Sequence, residues 1–529
     1  MQIAHEENCV LLQEGKRLSE SLIWQLQRNY FDRQGITAWS TGTVPHHITS
    51  SAFIAEAYAR VVFGFLRDCC AQHDVTQPVY IVELGAGPGR FAYLFLKKFL
   101  SAYSKSVLKD LSFKYVMTDF TERNVEYWRT HKWLQPFIEA GVLDFAEFDV
   151  EHDESLRLIH SGEVLSRETL RNPMIAIANY VFDSIPQDAF SIADGQLFET
   201  LLTVRTAQAD HDLTDPEILT RLETTFRCNP VDENYYDNAH WNRILLDYKQ
   251  RLPAIDFLFP TAGLECVRNL HRLSNSRLLL LSADRGYSSD DALLQGQGAP
   301  GMVWHGSFSM MVDYQIIGEY CRLIGGHALH PRHSHDNLHV CAFMFGNSRD
   351  EFVETRSAYD EAIERFGPDD FFTLKDGIET VCEYLTLDHL LTFLRLSGWD
   401  YKRFLECLPV LKKHLPGISD AQKQQLHDAI LRIWDLYLPI GERTDLAFEM
   451  GTLLLEMDFC STALEFLQHS VDLYGDAPGT AYNMAVCYYN VENSEQAMAH
   501  VDRALGLDPD FAEAKTLKIQ LESALLTAM

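Results

Sequence analysis

A chain of 529 residues has room for two or three domains, at roughly one per 100–200 residues. Its formal net charge of −30 disfavours a large nucleic-acid footprint and adhesion to an anionic membrane, both of which need a basic face. With 47% hydrophobic and 23% charged residues it reads as a globular, soluble chain; its eleven cysteines, without a Cys-x-x-Cys pair, read as reduced thiols in a cytoplasmic protein.

The start, Met1 to Asn8, has neither a basic n-region nor a long apolar core, so it reads as neither a secretory signal nor a transit peptide. No run is apolar for about 18 residues, so no transmembrane helix is expected. Residues 1–75 read as a mostly helical segment. Leu18 to Tyr30 is amphipathic, and Ser50 or Ser51 caps a helix from Ala52 to Cys70. The loop between them, Gly35 to Thr49, is rich in turn formers. It reads equally as a lid or as a connector.

Val79 to Leu84 is an apolar run with one acid, Glu83, and suits a buried parallel strand. Gly85, Gly87 and Gly89 follow at alternate positions, and Phe91 to Leu100 continues as a helix. Such a turn lets a ligand approach the backbone, and the helix start offers free N–H groups. Nicotinamide and flavin cofactors prefer Gly-x-Gly-x-x-Gly, but Arg90 stands where the third glycine would fall. The pattern Glu83-x-Gly85-x-Gly87-x-Gly89 instead resembles motif I of class I S-adenosylmethionine methyltransferases. A tight turn without a ligand is the plainer alternative.

Further strands are expected at Phe113–Asp119, Leu143–Val150, Met174–Asn179 and Arg277–Ser282. In a doubly wound sheet the carboxyl ends of the strands line the ligand crevice. Asp119, Asp149, Asn179 and Asp284 all fall at that edge, and an acid there can accept hydrogen bonds from both ribose hydroxyls. An insertion, 190–275, opens with a hairpin turning at Asp194-Gly195, and the rest of it reads as helical. A helix from Val312 to Ile324 and a strand from His339 to Phe345 complete a domain spanning 76–347. His327, His330, His333, His335 and His339 crowd its last turn, but without an obvious acid or cysteine partner they read as a polar surface turn, not a metal site.

From about 350 to 529 the period becomes helical. The segment from Thr444 matches the segment from Pro478 at an offset of 34, pairing Gly451 with Ala485, Ala463 with Ala497 and Ser470 with Ala504. That is the period of tetratricopeptide repeats, whose small residues let paired helices pack closely.

Together these stretches resemble the MidA-like methyltransferase family, which includes the mitochondrial complex I assembly arginine methyltransferase. The resemblance spans about residues 30–347 and rests on Asn179-Tyr180-Val181-Phe182-Asp183-Ser184-Ile185-Pro186, on Thr49-Ser50, and on Val312-Asp313-Tyr314 before Gly325-Gly326. It implies a Rossmann-like class I fold with S-adenosylmethionine as cofactor. Gly85, Gly87 and Gly89 would approach the methionine moiety, with Glu83 at its amino end. Asp119 would take the ribose, and Asp149 the adenine amino group. Asn179 would border the donor, and with Asp183 would orient the acceptor. The family's glutamate after the asparagine is Tyr180 here, its histidine after the proline is Asp188, and its histidine before Val-Asp-Phe is Met311. The substrate side is therefore altered, with Asp183 and Asp188 as its surviving acids. The expected activity is methyl transfer to a protein side chain recruited by the repeats. A small-molecule acceptor, or a non-catalytic assembly factor, is the alternative.

Overall fold

The computed structural model describes residues 10–70, 73–74, 76–207, 212–232, 234–296, 301–333, 338–346 and 352–528. His335, Cys9 and the Met1–Asn8 start lie outside them. The chain forms two compact units, Met1–Asp376 and Gly377–Met529.

The first unit is built on a seven-stranded sheet. Its strands, in chain order, are β1 (Val79–Leu84), β2 (Phe113–Asp119), β3 (Leu143–Glu147), β4 (Met174–Asn179), β5 (Leu278–Asp284), β6 (His327–Leu329) and β7 (His339–Phe345). Their spatial order is β3-β2-β1-β4-β5-β7-β6. The first five run parallel, and β7 runs antiparallel to β5 and β6. Every residue of β1 and β7 is buried, which explains why these strands read as apolar runs and not as alternating ones. The chain reverses direction of build between β1 and β4, so the loops after β1, β2 and β4 open onto one crevice.

The N-terminal segment differs from its helical reading. Val10–Arg17 is a strand that pairs with Gln196–Thr206 of the insertion. The insertion likewise holds more strand than expected. Its hairpin (Asp188–Ala193 and Gln196–Thr206) is joined by Leu222–Pro230 and Ile255–Phe259 into a second, five-stranded sheet. The hairpin turn falls at Asp194 and Gly195, both at positive φ (50° and 71°), as a two-residue turn requires. The misreading has a physical cause: Leu222–Pro230 alternates on a half-exposed sheet edge, and that pattern carries little apolar signal.

Two helices frame the crevice. Leu22–Gln34 is capped by the Ser21 side chain, and Ala52–Cys69 by the Ser51 side chain, which accepts from Ile54 N–H. The second helix packs against Val353–Tyr359 so tightly that a Cβ at Gly64 would lie 2.6 Å from the Glu354 carbonyl oxygen.

The second unit is a C-terminal helical region. Leu446–Glu456 pairs with Cys460–Tyr474, and Pro478–Asn490 with Ser494–Leu507, before the last helix, Ala512–Ala528. Small residues set the spacing. Ala463, Ala485, Ala497 and Ala504 are fully buried, and a Cβ at Gly451 would sit 3.0 Å from Leu467.

Candidate functional site

The glycine turn is a backbone requirement before it is anything else. Gly85, Gly87 and Gly89 all have positive φ (58°, 51° and 76°), a region that L side chains rarely occupy. The space beside each is filled by protein. A Cβ at Gly89 would meet Met117 at 2.8 Å, one at Gly87 the Trp39 ring at 3.1 Å, and one at Gly85 Val181 at 3.3 Å. Trp39, from the loop between the two framing helices, thus roofs the turn, and it stacks on Phe31 behind it.

Below the roof lies a cavity of about 460 Å³, within the usual span for small-molecule sites. Glu83, Gly85, Gly87, Asp119, Asp149, Asn179 and Asp183 all line it; Gly89 does not. Thr49 and Ser50 of the loop line it as well.

Glu83 is buried and accepts a hydrogen bond from the Tyr115 hydroxyl at 3.0 Å. Burial pushes its carboxyl up to about 8, aided by the nearby Asp119, so it carries a proton at neutral pH. Asp119 ends β2. One of its oxygens accepts from the Thr121 N–H and hydroxyl at 3.0 and 3.1 Å, the other from the Asn124 amide at 2.9 Å and the Gly87 N–H at 3.3 Å. Burial raises its pKa despite these donors. The long Gly87 bond is the weakest of the four, and is the one a ligand hydroxyl could replace at least cost.

Asp149 stands two residues past the end of β3, not within it. It is held by Arg28, whose guanidinium meets its carboxylate at 2.6 and 3.4 Å and reaches Glu151 at 3.0 Å. Arg28 also covers the Phe120 ring, 4.4 Å from its centroid. The helix carrying Arg28 therefore closes this end of the cavity.

At the other end, Asn179 accepts from the Tyr58 hydroxyl at 2.8 Å, while its buried Nδ2 has no partner among the described residues. Tyr180 follows at φ 53°, a strained conformation for an aromatic residue, and lines the cavity. Asp183 accepts from Ser184 at 2.7 Å and is hydrogen-bonded to Asp284, which in turn accepts from Tyr314 at 2.7 Å. Two carboxylates buried side by side repel, so the pair titrates together. Burial raises Asp183 to about 6 and, with Asp183 beside it, raises Asp284 well above the ordinary range. Asp188, by contrast, does not line the cavity. It is held by Ser19 N–H at 3.3 Å and the Tyr236 hydroxyl at 2.6 Å.

Three further residues line the cavity without having been singled out in the sequence: Arg28, Arg285 and His305. Arg285 directly follows Asp284 at the end of β5, so the rule that strand ends line the crevice could have found it. Nothing local marks Arg28, one basic residue on an amphipathic helix, or His305, on the hairpin of Val303–His305 and Ser307–Ser309. His305 Nε2 meets the Ser309 hydroxyl at 3.3 Å, and its buried Nδ1 has no partner among the described residues. Burial lowers its pKa, which keeps the ring neutral and able to accept a proton.

Among the described residues no group of three or more His, Cys, Asp or Glu is placed to hold an ion. His330 Nδ1 lies 3.6 Å from Cys341 Sγ, and burial lowers its pKa to about 4. None of the ten described cysteines is in a disulfide, and no described helix is long and apolar enough to cross a membrane.

No protein-family model and no curated protein matches the chain. Among solved structures, an uncharacterised Burkholderia thailandensis protein is 13% identical, with a TM-score of 0.40, over 63% of this chain and 89% of its own. A methyl transferase candidate from the same organism, bound to S-adenosyl-homocysteine, is 12% identical, with a TM-score of 0.40, over 67% and 86% of the two chains. A Thermus thermophilus tetratricopeptide-repeat protein is 18% identical, with a TM-score of 0.21, over 34% and 91%. Likenesses this distant leave the functional reading to the geometry of the site.

Proposed function

We propose that the chain is an S-adenosylmethionine-dependent methyltransferase. The observation that carries this reading is the convergence of Gly85 and Gly87 from the turn after β1, Asp119 at the end of β2 and Asn179 at the end of β4 on one cavity. The reversed β7, placed between β5 and β6, also argues against a dinucleotide fold, whose six strands run parallel.

The residues present fit such a donor. Protonated Glu83 can give up its proton and pair with the donor's ammonium. Asp119 can receive ribose hydroxyls in place of its long Gly87 bond. Asp149, held by Arg28, borders an apolar slot at Phe120 and Phe148 suited to a purine ring. Asn179 has an amide N–H to spare, and a buried donor without a partner favours any ligand acceptor that meets it. When bound, the donor supplies an electrophilic methyl group on a sulfonium. The chain's part is to hold the acceptor in line beside Asn179 and Asp183, to keep water out with the Trp39 roof, and to take a proton at His305 Nδ1 when the acceptor carries one.

The helical repeats belong to this reading as a docking module. Residues 444–529 carry 14 acids against three bases, which suits a basic protein partner.

Calorimetric titration with S-adenosylhomocysteine tests the reading. The expected result is micromolar binding by wild type and a loss of roughly a hundredfold or more in Asp119→Ala, since several hydrogen bonds at about 1 kcal/mol each depend on that carboxylate. A well-folded wild type that does not bind would end the enzyme reading and leave an assembly factor.

A further inference from the structure

Asn179 ends β4 with an amide that is satisfied at its oxygen alone. Its Oδ1 accepts from the Tyr58 hydroxyl at 2.8 Å, and its buried Nδ2 has no partner among the described residues. The orientation is set from behind. Tyr58 is fully buried on the helix Ala52–Cys69, and its ring meets Phe91 edge-on, with centroids 5.5 Å apart. Tyr58 makes no other hydrogen bond among the described residues, so the reverse amide orientation would strand its hydroxyl proton. The backbone is held as well: Asn179 lies opposite Ala283 of β5, and the Tyr180 N–H donates to the Ala283 carbonyl at 2.9 Å. What Asn179 offers the cavity it lines is therefore an N–H and not a carbonyl.

The sheet order places that N–H beside the reacting end of the donor. Asp119 ends β2 and Asp149 follows β3, whereas β4 lies on the far side of β1 from both acids. Neighbouring strands are about 5 Å apart. A donor with its ribose at Asp119, its adenine at Asp149 and its methionine end at Glu83 and the glycine turn meets Asn179 at its sulfonium. Val181, two residues on, already stands 3.3 Å from where a Cβ of Gly85 would lie.

An N–H there discriminates between acceptor atoms. A neutral amine nitrogen has one lone pair, and that pair must attack the methyl carbon. None is left for the Asn179 N–H, and a buried donor left unmet is costly. A hydroxyl oxygen has two lone pairs, one to attack and one to accept from Asn179. Charge makes no demand of its own, because Asp183, raised only to about 6, is mostly ionised at neutral pH and answers Arg285.

We propose that the methyl acceptor is a hydroxyl oxygen that accepts from the Asn179 N–H, and that Tyr58 is the positioning residue that turns this N–H toward it. This rests on the methyltransferase reading above, and it departs from the arginine acceptor of the family the chain resembles. In the step, one oxygen lone pair forms the bond to the methyl carbon, the carbon–sulfur pair withdraws to sulfur, and the hydroxyl proton goes to His305 Nδ1. The products are a methyl ether and a thioether.

The test is calorimetry on the full chain saturated with S-adenosylhomocysteine, using phenol as the probe and aniline as its counterpart of like shape, both uncharged at neutral pH. Wild type should bind phenol about tenfold more tightly, the effect of leaving one buried donor unmet in the aniline complex. Asn179→Leu should bind the two alike. Tyr58→Phe keeps the ring but frees the amide to turn; it should lose most of the preference and leave S-adenosylhomocysteine affinity unchanged. With S-adenosylmethionine carrying a deuterated methyl group, mass spectrometry should find labelled anisole in excess over labelled N-methylaniline. Equal or tighter binding of aniline by wild type, no phenol binding, a preference that survives either variant, or absence of labelled anisole would overturn the proposal. So would a fall in S-adenosylhomocysteine affinity in Tyr58→Phe, which would give the Asn179 N–H to the donor. Failure of the methyltransferase reading itself looks different: folded wild type would not bind S-adenosylhomocysteine at all.

Discussion

Glu83 is a carboxylic acid held neutral by burial, with only Tyr115 to hydrogen-bond its carboxyl among the described residues. If it pairs with the donor's ammonium, it must ionise on binding. Calorimetry of S-adenosylhomocysteine at pH 7, in buffers of different ionisation enthalpy, should therefore report release of about one proton. Affinity should rise with pH up to about 8, where the free carboxyl is already ionised. Glu83→Gln should release none. The Asp183–Asp284 pair makes a separate prediction about stability. Both carboxyls are raised in the folded chain, so the fold holds more protons than the unfolded chain from the ordinary aspartate range up through about 6 for Asp183 and higher for Asp284. The stability from this pair is fully present below that window and is lost as pH rises through it. Asp284→Asn removes one titrating carboxyl while leaving Tyr314 an acceptor. Its melting temperature relative to wild type should thus improve between pH 5 and pH 8. A constant difference across that range would mean the pair does not titrate together.

The helix Leu22–Gln34 buries its apolar face in a core with Leu202, Val204 and Phe308, and polar contacts add to that hold on its cavity side. Arg28 bridges to Asp149 and Glu151, and the Gln27 amide donates to the Phe308 carbonyl at 2.6 Å and the Ser307 hydroxyl at 3.1 Å. The Arg28 bridge is a third exposed, so its contribution to stability is about 1 kcal/mol or less. Arg28→Ala should leave the melting temperature nearly unchanged but speed amide hydrogen exchange across residues 22–34, read by mass spectrometry. Unchanged exchange there would mean the bridge does not hold the helix down. Gly64 sits where the helix Ala52–Cys69 meets Val353–Tyr359, and it has no room for a methyl group. Gly64→Ala should cost ~1–3 kcal/mol in denaturant unfolding, since backbone, not a flexible side chain, blocks the Cβ. A neutral result would show that the two helices slide apart easily.

Each compact unit has its own core, so damage to one can be read separately from the other. Gly451→Val forces a branched side chain against Leu467 and should destabilise the helical unit by ~1–3 kcal/mol, with S-adenosylhomocysteine binding retained. Loss of binding in that variant would tie the cavity to the repeats. At this scale the limits of sequence reading are plain. β1, β4 and β7 were legible to the residue because strands buried on both faces must be apolar throughout. The glycine turn was legible because positive φ at alternate positions leaves little choice of residue. The repeats were legible because close helix packing demands small residues at a fixed period. By itself the sequence thus determined the sheet, the turn at its centre and the helical hairpins, all of which follow from local conformation and burial. Tertiary structure alone decided that Val10–Arg17 completes the insertion's sheet, that Arg28 closes one end of the cavity, and that Arg285 and His305 stand at the other. Those facts join residues far apart in the chain, and no local preference of an arginine or a histidine records which carboxylate or cavity the fold will bring beside it.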